Sequence, residues 1–260
     1  MFKTRRKLLS QNFLRGRDLV KRLIAASGIS WKNTVLEIGA GSGILTEGLL
    51  SVSKKVIAVE IDKGLFAHLS SRLGNNIALE LVCSDILALD LPREPYKVFS
   101  NIPFSITGEI VKKLLFSDNP PDSCSLIVQK EAAEKFMVNQ RKNSMLSILF
   151  YPWFEIKISH VFKRTDFTPT PEVDLCFLQI IKRLTPLISN NDMSKYRDFV
   201  VFKFTKCRAV GEWPLTQWLI AYTKDVRCRG SFLKWQKEQS KLEKIHRTRT
   251  DRNWRKFGSQ

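Results

Sequence analysis

Thr34-Val35-Leu36-Glu37-Ile38-Gly39-Ala40-Gly41-Ser42-Gly43 runs an apolar strand straight into a glycine-rich turn. Ile44, Leu45, Leu49 and Leu50 follow at roughly helical spacing, so the stretch reads as strand, tight turn and helix. Glycines in such a turn let the backbone approach a ligand closely at the N-terminus of the helix. A second, mostly apolar strand, Lys55 to Glu60, ends in an acid placed 19 residues after Gly41. A carboxylate there can accept hydrogen bonds from both hydroxyls of a ribose. The plainest alternative is a tight strand-to-helix turn with no ligand, and it ranks below cofactor binding. The G-x-G-x-G spacing, with Glu37 two residues ahead of Gly39, lacks the third glycine of the dinucleotide fingerprint. S-adenosylmethionine is therefore favoured over NAD.

Working outward, a third strand, Ala78 to Val82, leads into Cys83-Ser84-Asp85-Ile86, where the carboxylate can accept from an adenine amine while Ile86 packs beside the ring. A fourth, Tyr96 to Ser100, delivers Asn101-Ile102-Pro103-Phe104. The four strand ends place Gly39, Glu60, Asp85 and Asn101 along one edge, where ligands bind in open α/β sheets. Pro103 fixes its own φ and pushes Ile102 toward extended conformations, which presets the Asn101 amide and nearby carbonyls as acceptors. Phe104 adds a π face. A polar amide, a rigid turn and an aromatic suit a flat base with an exocyclic amine.

With Ser10-Gln11-Asn12-Phe13-Leu14 near the start and Phe167-Thr168-Pro169-Thr170-Pro171-Glu172-Val173-Asp174 further on, these motifs resemble the rRNA adenine N6-methyltransferase family. The Asn-Ile-Pro-aromatic form is similar to the Erm branch, which modifies 23S rRNA; related small-subunit dimethylases usually show Asn-Leu-Pro-Tyr-Asn. The resemblance implies an α/β fold, a Rossmann-like S-adenosylmethionine-dependent methyltransferase sheet with a small helical C-terminal domain. It implies transfer of one or two methyl groups to N6 of a specific adenine in 23S rRNA, before or during ribosome assembly, by a monomer. Resistance to macrolide, lincosamide and streptogramin B antibiotics would follow. Carried over by residue, Asn12, Leu14, Gly39, Glu60, Asp85 and Asn101 would contact the cofactor. Asn101, Ile102, Pro103 and Phe104 would meet the base, with Phe167 on its opposite face. Phe167 has a rival reading as a core aromatic, but the Thr168-Pro169-Thr170-Pro171 run cannot continue a regular element and should hold it in a rim loop. Asn12 has a rival reading as an N-cap or solvated amide.

Adenine N6 is a poor nucleophile because its lone pair is delocalised into the ring. If the Asn101 oxygen and the Ile102 carbonyl accept the two amine hydrogens, the lone pair localises toward the sulfonium methyl, and positioning and preorganised dipoles do the catalysis. No metal, catalytic histidine or covalent intermediate is required, and His68, His160 and His246 show no ligand spacing. Extruding a stacked adenine costs a few kcal/mol, which aromatic platforms, at roughly 1 to 3 kcal/mol per base, can offset.

The formal net charge is +18, and it is concentrated at the ends. Residues 1–22 carry eight Lys/Arg against one Asp, and residues 224–260 carry twelve against four acids. Like charges gathered this way repel, whereas a polyanion releases counterions on meeting them. The expected organisation is a basic N-terminal arm (1–22), a catalytic domain (23–183), a small helical domain (184–223) and a basic RNA-binding extension (224–260). Phe232, Trp235, Trp254 and Phe257 interleave with cations in the extension, which suits RNA stacking. A helix is expected from Phe232 to Arg249. Trp213, Leu215, Trp218 and Leu219 read as core. The five cysteines, Cys83, Cys124, Cys176, Cys207 and Cys228, form no C-x-x-C pair, so reduced thiols in a cytoplasm are expected. No apolar run approaches a membrane span. Three rivals stand beside the leading reading: a small-subunit dimethylase, a catalytically silent RNA-binding factor of the same fold, and a nucleotide-dependent oxidoreductase. The last leaves Asn101 to Phe104 unexplained.

Overall fold

The computed structural model describes residues 13–140, 142–207, 209–224 and 231–242. Asn12, most of the basic arm, Ile245, Trp254 and Phe257 lie outside the described residues. Nine strands occur among those described: β1 Phe13–Leu14, β2 Thr34–Ile38, β3 Lys55–Glu60, β4 Leu79–Cys83, β5 Tyr96–Asn101, β6 Ser123–Gln129, β7 Phe154–Val161, β8 Phe167–Thr168 and β9 Leu175–Lys182. Seven of them form one sheet in the order β4-β3-β2-β5-β6-β9-β7. The first five are parallel, and β9 runs antiparallel between β6 and β7. This is the expected α/β architecture.

Local chemistry explains the elements. Val35, Leu36, Val56, Ala58, Val98, Phe99, Leu126 and Ile127 are buried, as continuous apolar runs must be in parallel strands covered by helices on both faces. Helices Arg17–Ala26, Ile44–Leu50, Lys63–Leu73 and Thr107–Leu115 supply that cover. Asp62 caps the third of these, its Oδ1 accepting from the N–H groups of Gly64 (2.8 Å) and Leu65 (3.1 Å). Three strand boundaries differ by a residue from the sequence reading: β4 begins at Leu79 instead of Ala78, and β4 and β5 each end one residue later. The β3–β4 register pairs Glu60 with Cys83, and the β5–β6 register pairs Asn101 with Ile127, so both strands extend through those residues.

The described residues fall into two compact units: residues up to Met137 with Trp153–Leu184, and Val138–Pro152 with residues from Thr185 onward. In the second unit, helices Met145–Phe150, Met193–Lys206 and Leu215–Lys224 build a core containing Tyr196, Phe199 and Trp218. The Tyr196 hydroxyl donates to the Ile148 carbonyl (3.1 Å), which brings Val138–Pro152 into this unit. Trp218 is core as expected, with Phe204 stacked on it at 5.3 Å. Residues 231–242 are helical. There Phe232 departs from its expected RNA contact: it is buried, its N–H donates to Asp198 Oδ1 (2.8 Å), and the Arg197 guanidinium lies 5.3 Å from its ring centre.

Replacing the cap, Asp62→Ala, leaves two helix N–H groups without their acceptor. It should lower stability by about 1 kcal/mol, read as an earlier urea midpoint with an unchanged slope; an unshifted midpoint would show that the cap contributes nothing.

Candidate functional site

At the end of β2 the chain turns through Gly39, Gly41 and Gly43, all at positive φ. The N–H groups of Gly39 and Ala40 donate to the Val59 carbonyl (2.8 and 3.2 Å), curling the loop toward β3. Gly41 N–H then donates to Glu60 Oε2 (2.8 Å), and Glu60 Oε1 accepts from Asp62 N–H (2.8 Å). The acid at the end of β3 thus braces the glycine loop and the start of the next helix. A carboxylate offers about four lone-pair sites; two are filled here, leaving acceptor capacity for ribose hydroxyls. At Gly41 a side chain is excluded twice, by φ of 59° and by Phe13 Cε1, 2.9 Å from where a Cβ would sit. A Cβ on Gly39 would lie 3.9 Å from Pro103 Cδ and 4.0 Å from the Asn101 carbonyl oxygen, so the loop rests against the Asn101 turn.

The expected residues are distributed as follows. Gly39, Glu60 and Asn101 stand at the carboxyl ends of adjacent strands β2, β3 and β5, and Asp85 follows β4. Asp85 is half-buried, its Oδ1 accepting from Leu87 N–H (2.9 Å), and Ile86 is buried beside it. Ile102 is buried, while Asn101, Pro103 and Phe104 are half-buried. The Pro103 carbonyl accepts from Ile106 N–H (3.2 Å), closing a one-turn helix at Phe104–Ile106.

Leu14 and Phe167 meet in the core cluster that also holds Ala40 and against which Phe104 packs. β1 pairs antiparallel with β8, placing Leu14 opposite Phe167. Phe167 is only 1 % exposed and packs edge-on against Phe162, with ring centres 5.2 Å apart. It is packed into the core, in one cluster with Leu14, Phe162, Leu175 and Phe177, and not presented on a rim.

Three residues that the sequence reading did not assign also shape the site. Phe13 covers Gly41. Ile61, directly after Glu60, is 59 % exposed, an apolar side chain held at the carboxyl edge of the sheet. Its only sequence signal is its place after the strand-ending acid. Glu37 is the third: it is 1 % exposed, and no strict hydrogen bond reaches either of its oxygens or the buried Thr46 hydroxyl beside it. Two buried carboxyls, Glu37 and Glu60, therefore lie beneath the glycine loop. The charge there is that of Glu60, since burial favours the neutral form of Glu37; it suits a cationic ligand and would repel the diphosphate of a dinucleotide.

Residues 1–210 match the family model for ribosomal RNA adenine dimethylase. The small-subunit rRNA methyltransferase A of Thermotoga petrophila is 35% identical over 206 residues, covering 78% of this chain and 76% of that protein. An rRNA methyltransferase of Streptomyces thermotolerans is 33% identical over 201 residues, covering 77% and 67%. Among solved structures, that of the 23S rRNA methyltransferase ErmE superposes with a TM-score of 0.69 at 28% identity, covering 81% of this chain and 84% of that one.

Burial pushes the Glu37 carboxyl from 4.5 up to about 8, the neighbouring Glu60 charge pushes the same way, and Thr46 tempers the rise without satisfying the acid. A folded-state value above the unfolded one means that folding takes up a proton between the two, so stability is greatest below the lower value and declines as pH rises toward the higher. Thermal melts of the ligand-free protein between about pH 5 and pH 8 should show a falling midpoint. Glu37→Gln should flatten that decline, and parallel curves for the two proteins would contradict the assignment.

Proposed function

Since this chain belongs to the ribosomal RNA adenine dimethylase family, we propose that it transfers one or two methyl groups to N6 of a specific adenine in 23S rRNA. It is an S-adenosylmethionine-dependent rRNA methyltransferase. The observation that carries the finer reading is the Asn101 turn, stiffened by Pro103 and resting against Gly39.

The residues fit the cofactor. The backbone of Gly39 and Gly41 would approach it, the remaining lone pairs of Glu60 would accept from the ribose hydroxyls, Asp85 and Ile86 would face its adenine, and the Glu60 carboxylate would balance its positive charge, with Glu37 neutral beneath it. Leu14 holds the N-terminal segment beside it, and Asn12 completes the set. Bound there, S-adenosylmethionine supplies a methyl group already activated by a positive sulfur. The protein then has to present the amine. Asn101 and the Ile102 carbonyl accept its hydrogens, Phe104 stacks on the base, and Phe167 acts from the layer behind, supporting Leu14. Catalysis is positioning together with preorganised acceptors.

The large-subunit target is favoured by the Asn101-Ile102-Pro103-Phe104 form of the turn and by the likeness to ErmE. On this reading the chain acts in the cytoplasm as a monomer, its basic ends grip the RNA, and methylation blocks macrolide, lincosamide and streptogramin B binding. Among the described residues no helix is long and apolar enough to cross a membrane. A second reading, methylation of the small-subunit RNA, is favoured by relatives such as the Thermotoga petrophila protein.

Incubation with methyl-labelled S-adenosylmethionine and separate 16S and 23S rRNA should label an adenine in 23S. Label confined to 16S would establish the second reading, and none on either would overturn both. Asn101→Ala should reduce transfer by about 100-fold or more with RNA affinity retained; unchanged turnover would remove Asn101 as the amine acceptor.

A further inference from the structure

The ladder between β2 and β5 pairs Thr34 with Tyr96, Val35 with Lys97 and Leu36 with Val98, and there it ends. Both strands continue, to Ile38 and to Asn101. Above the last pair a side chain joins them. The Ser100 hydroxyl, fully buried, donates to the Ile38 carbonyl and accepts from Ile38 N–H (3.2 Å). It therefore does the work of two ladder bonds while standing as a spacer between the backbones. Ile38 immediately precedes Gly39, and Ser100 immediately precedes Asn101. Each anchor is one residue from a ligand-holding segment, one carrying the cofactor and the other the base.

We propose that Ser100 is a positioning residue for methyl transfer: its hydroxyl sets the separation of the glycine loop from the Asn101 turn, and with it the distance from the methyl group to the adenine amine. The inference rests on Asn101 as amine acceptor. Without the hydroxyl, the Ile38 N–H and carbonyl lose their partners in a buried place. The strands can answer only by closing together or by admitting water. Either response shifts Asn101 relative to Gly39, and direct transfer tolerates little displacement.

The test compares steady-state and single-turnover methylation of rRNA by Ser100→Ala, Ser100→Thr, Ser100→Cys and Ser125→Ala, normalised to folded protein. Ser125 is a buried serine on β6, paired with Phe99 and outside the gap, so it reports the general effect of deleting a buried hydroxyl. Ser100→Ala should lower kcat about 10- to 100-fold, with KM for S-adenosylmethionine and for RNA changed less than about threefold. Ser100→Thr, which keeps the hydroxyl, should recover most of the rate, Ser100→Cys should fall between, and Ser125→Ala should leave kcat unchanged whatever it does to the melting temperature. Wild-type kcat in Ser100→Ala, or an equal loss in Ser125→Ala, overturns the proposal. Should the alanine variant not fold, an undiminished rate in Ser100→Cys overturns it. Asn101→Ala separates the two claims. If that variant keeps its turnover, the acceptor reading fails and this inference with it; if it is inactive while Ser100→Ala is not, only this inference fails.

Discussion

Leu36 opposite Val98 is the last backbone pair between β2 and β5, and the two strands part above it. In open parallel sheets a crevice forms where successive strands are laid down on opposite sides of a central one. Here β3 and β4 lie to one side of β2, with β5 and β6 on the other. The glycine loop leaves β2 toward β3, tied by Gly39 and Ala40 to Val59 and by Gly41 to Glu60. The Asn101 turn leaves β5 with its direction fixed by Pro103. The glycine loop and the Asn101 turn diverge because their strands do, and the contact across the gap between them is the one that Ser100 makes with Ile38.

Charge is sorted along the sequence. Acids lie inside, at Glu37 and Glu60 beneath the loop, while the excess of cations lies in residues 1–22 and 224–260. A cationic cofactor is drawn to the interior site. An RNA phosphate would meet the Glu60 carboxylate there, whereas an uncharged base meets no such repulsion. One chain can thus accept ligands of opposite sign without either occupying the other's place.

The parts of the site that were legible in sequence are those encoded locally. The apolar run of β2, its glycines and the acid ending β3 follow from strand periodicity and backbone sterics within about 30 residues, the size of one such unit. The Asn101 turn was legible because proline constrains its neighbours wherever it sits. The rest depends on pairings that no local rule supplies. Ser100 finds Ile38 across 62 positions, and nothing in Phe-Ser-Asn distinguishes a spacer from an ordinary strand serine. Phe167 looked like a rim residue because prolines follow it, yet β1 arrives from the far end of the chain to bury it beside Leu14. Phe232 looked like an RNA contact because cations flank it, and the acceptor that seats its backbone, Asp198, is 34 residues away.

A pocket that grips an adenine by its amine and stacks on its face reads features shared by every adenine. The choice between large- and small-subunit RNA must therefore be made by surfaces that meet the RNA around the target. Net charge alone cannot make it, since phosphate contacts supply affinity and register but no direct sequence information. A charged surface becomes selective when its cations are held in a fixed pattern that matches one backbone shape and not another. The burial of Phe232 supplies such a constraint, because it seats one end of the helix at 231–242 in the second unit. Lys234, Lys237 and Lys241 are exposed on that helix at spacings of three and four, which places them on one face. An aromatic spent on packing gives up one stacking contact and in return orders a row of cations, whose entropic cost of alignment is met before the RNA arrives.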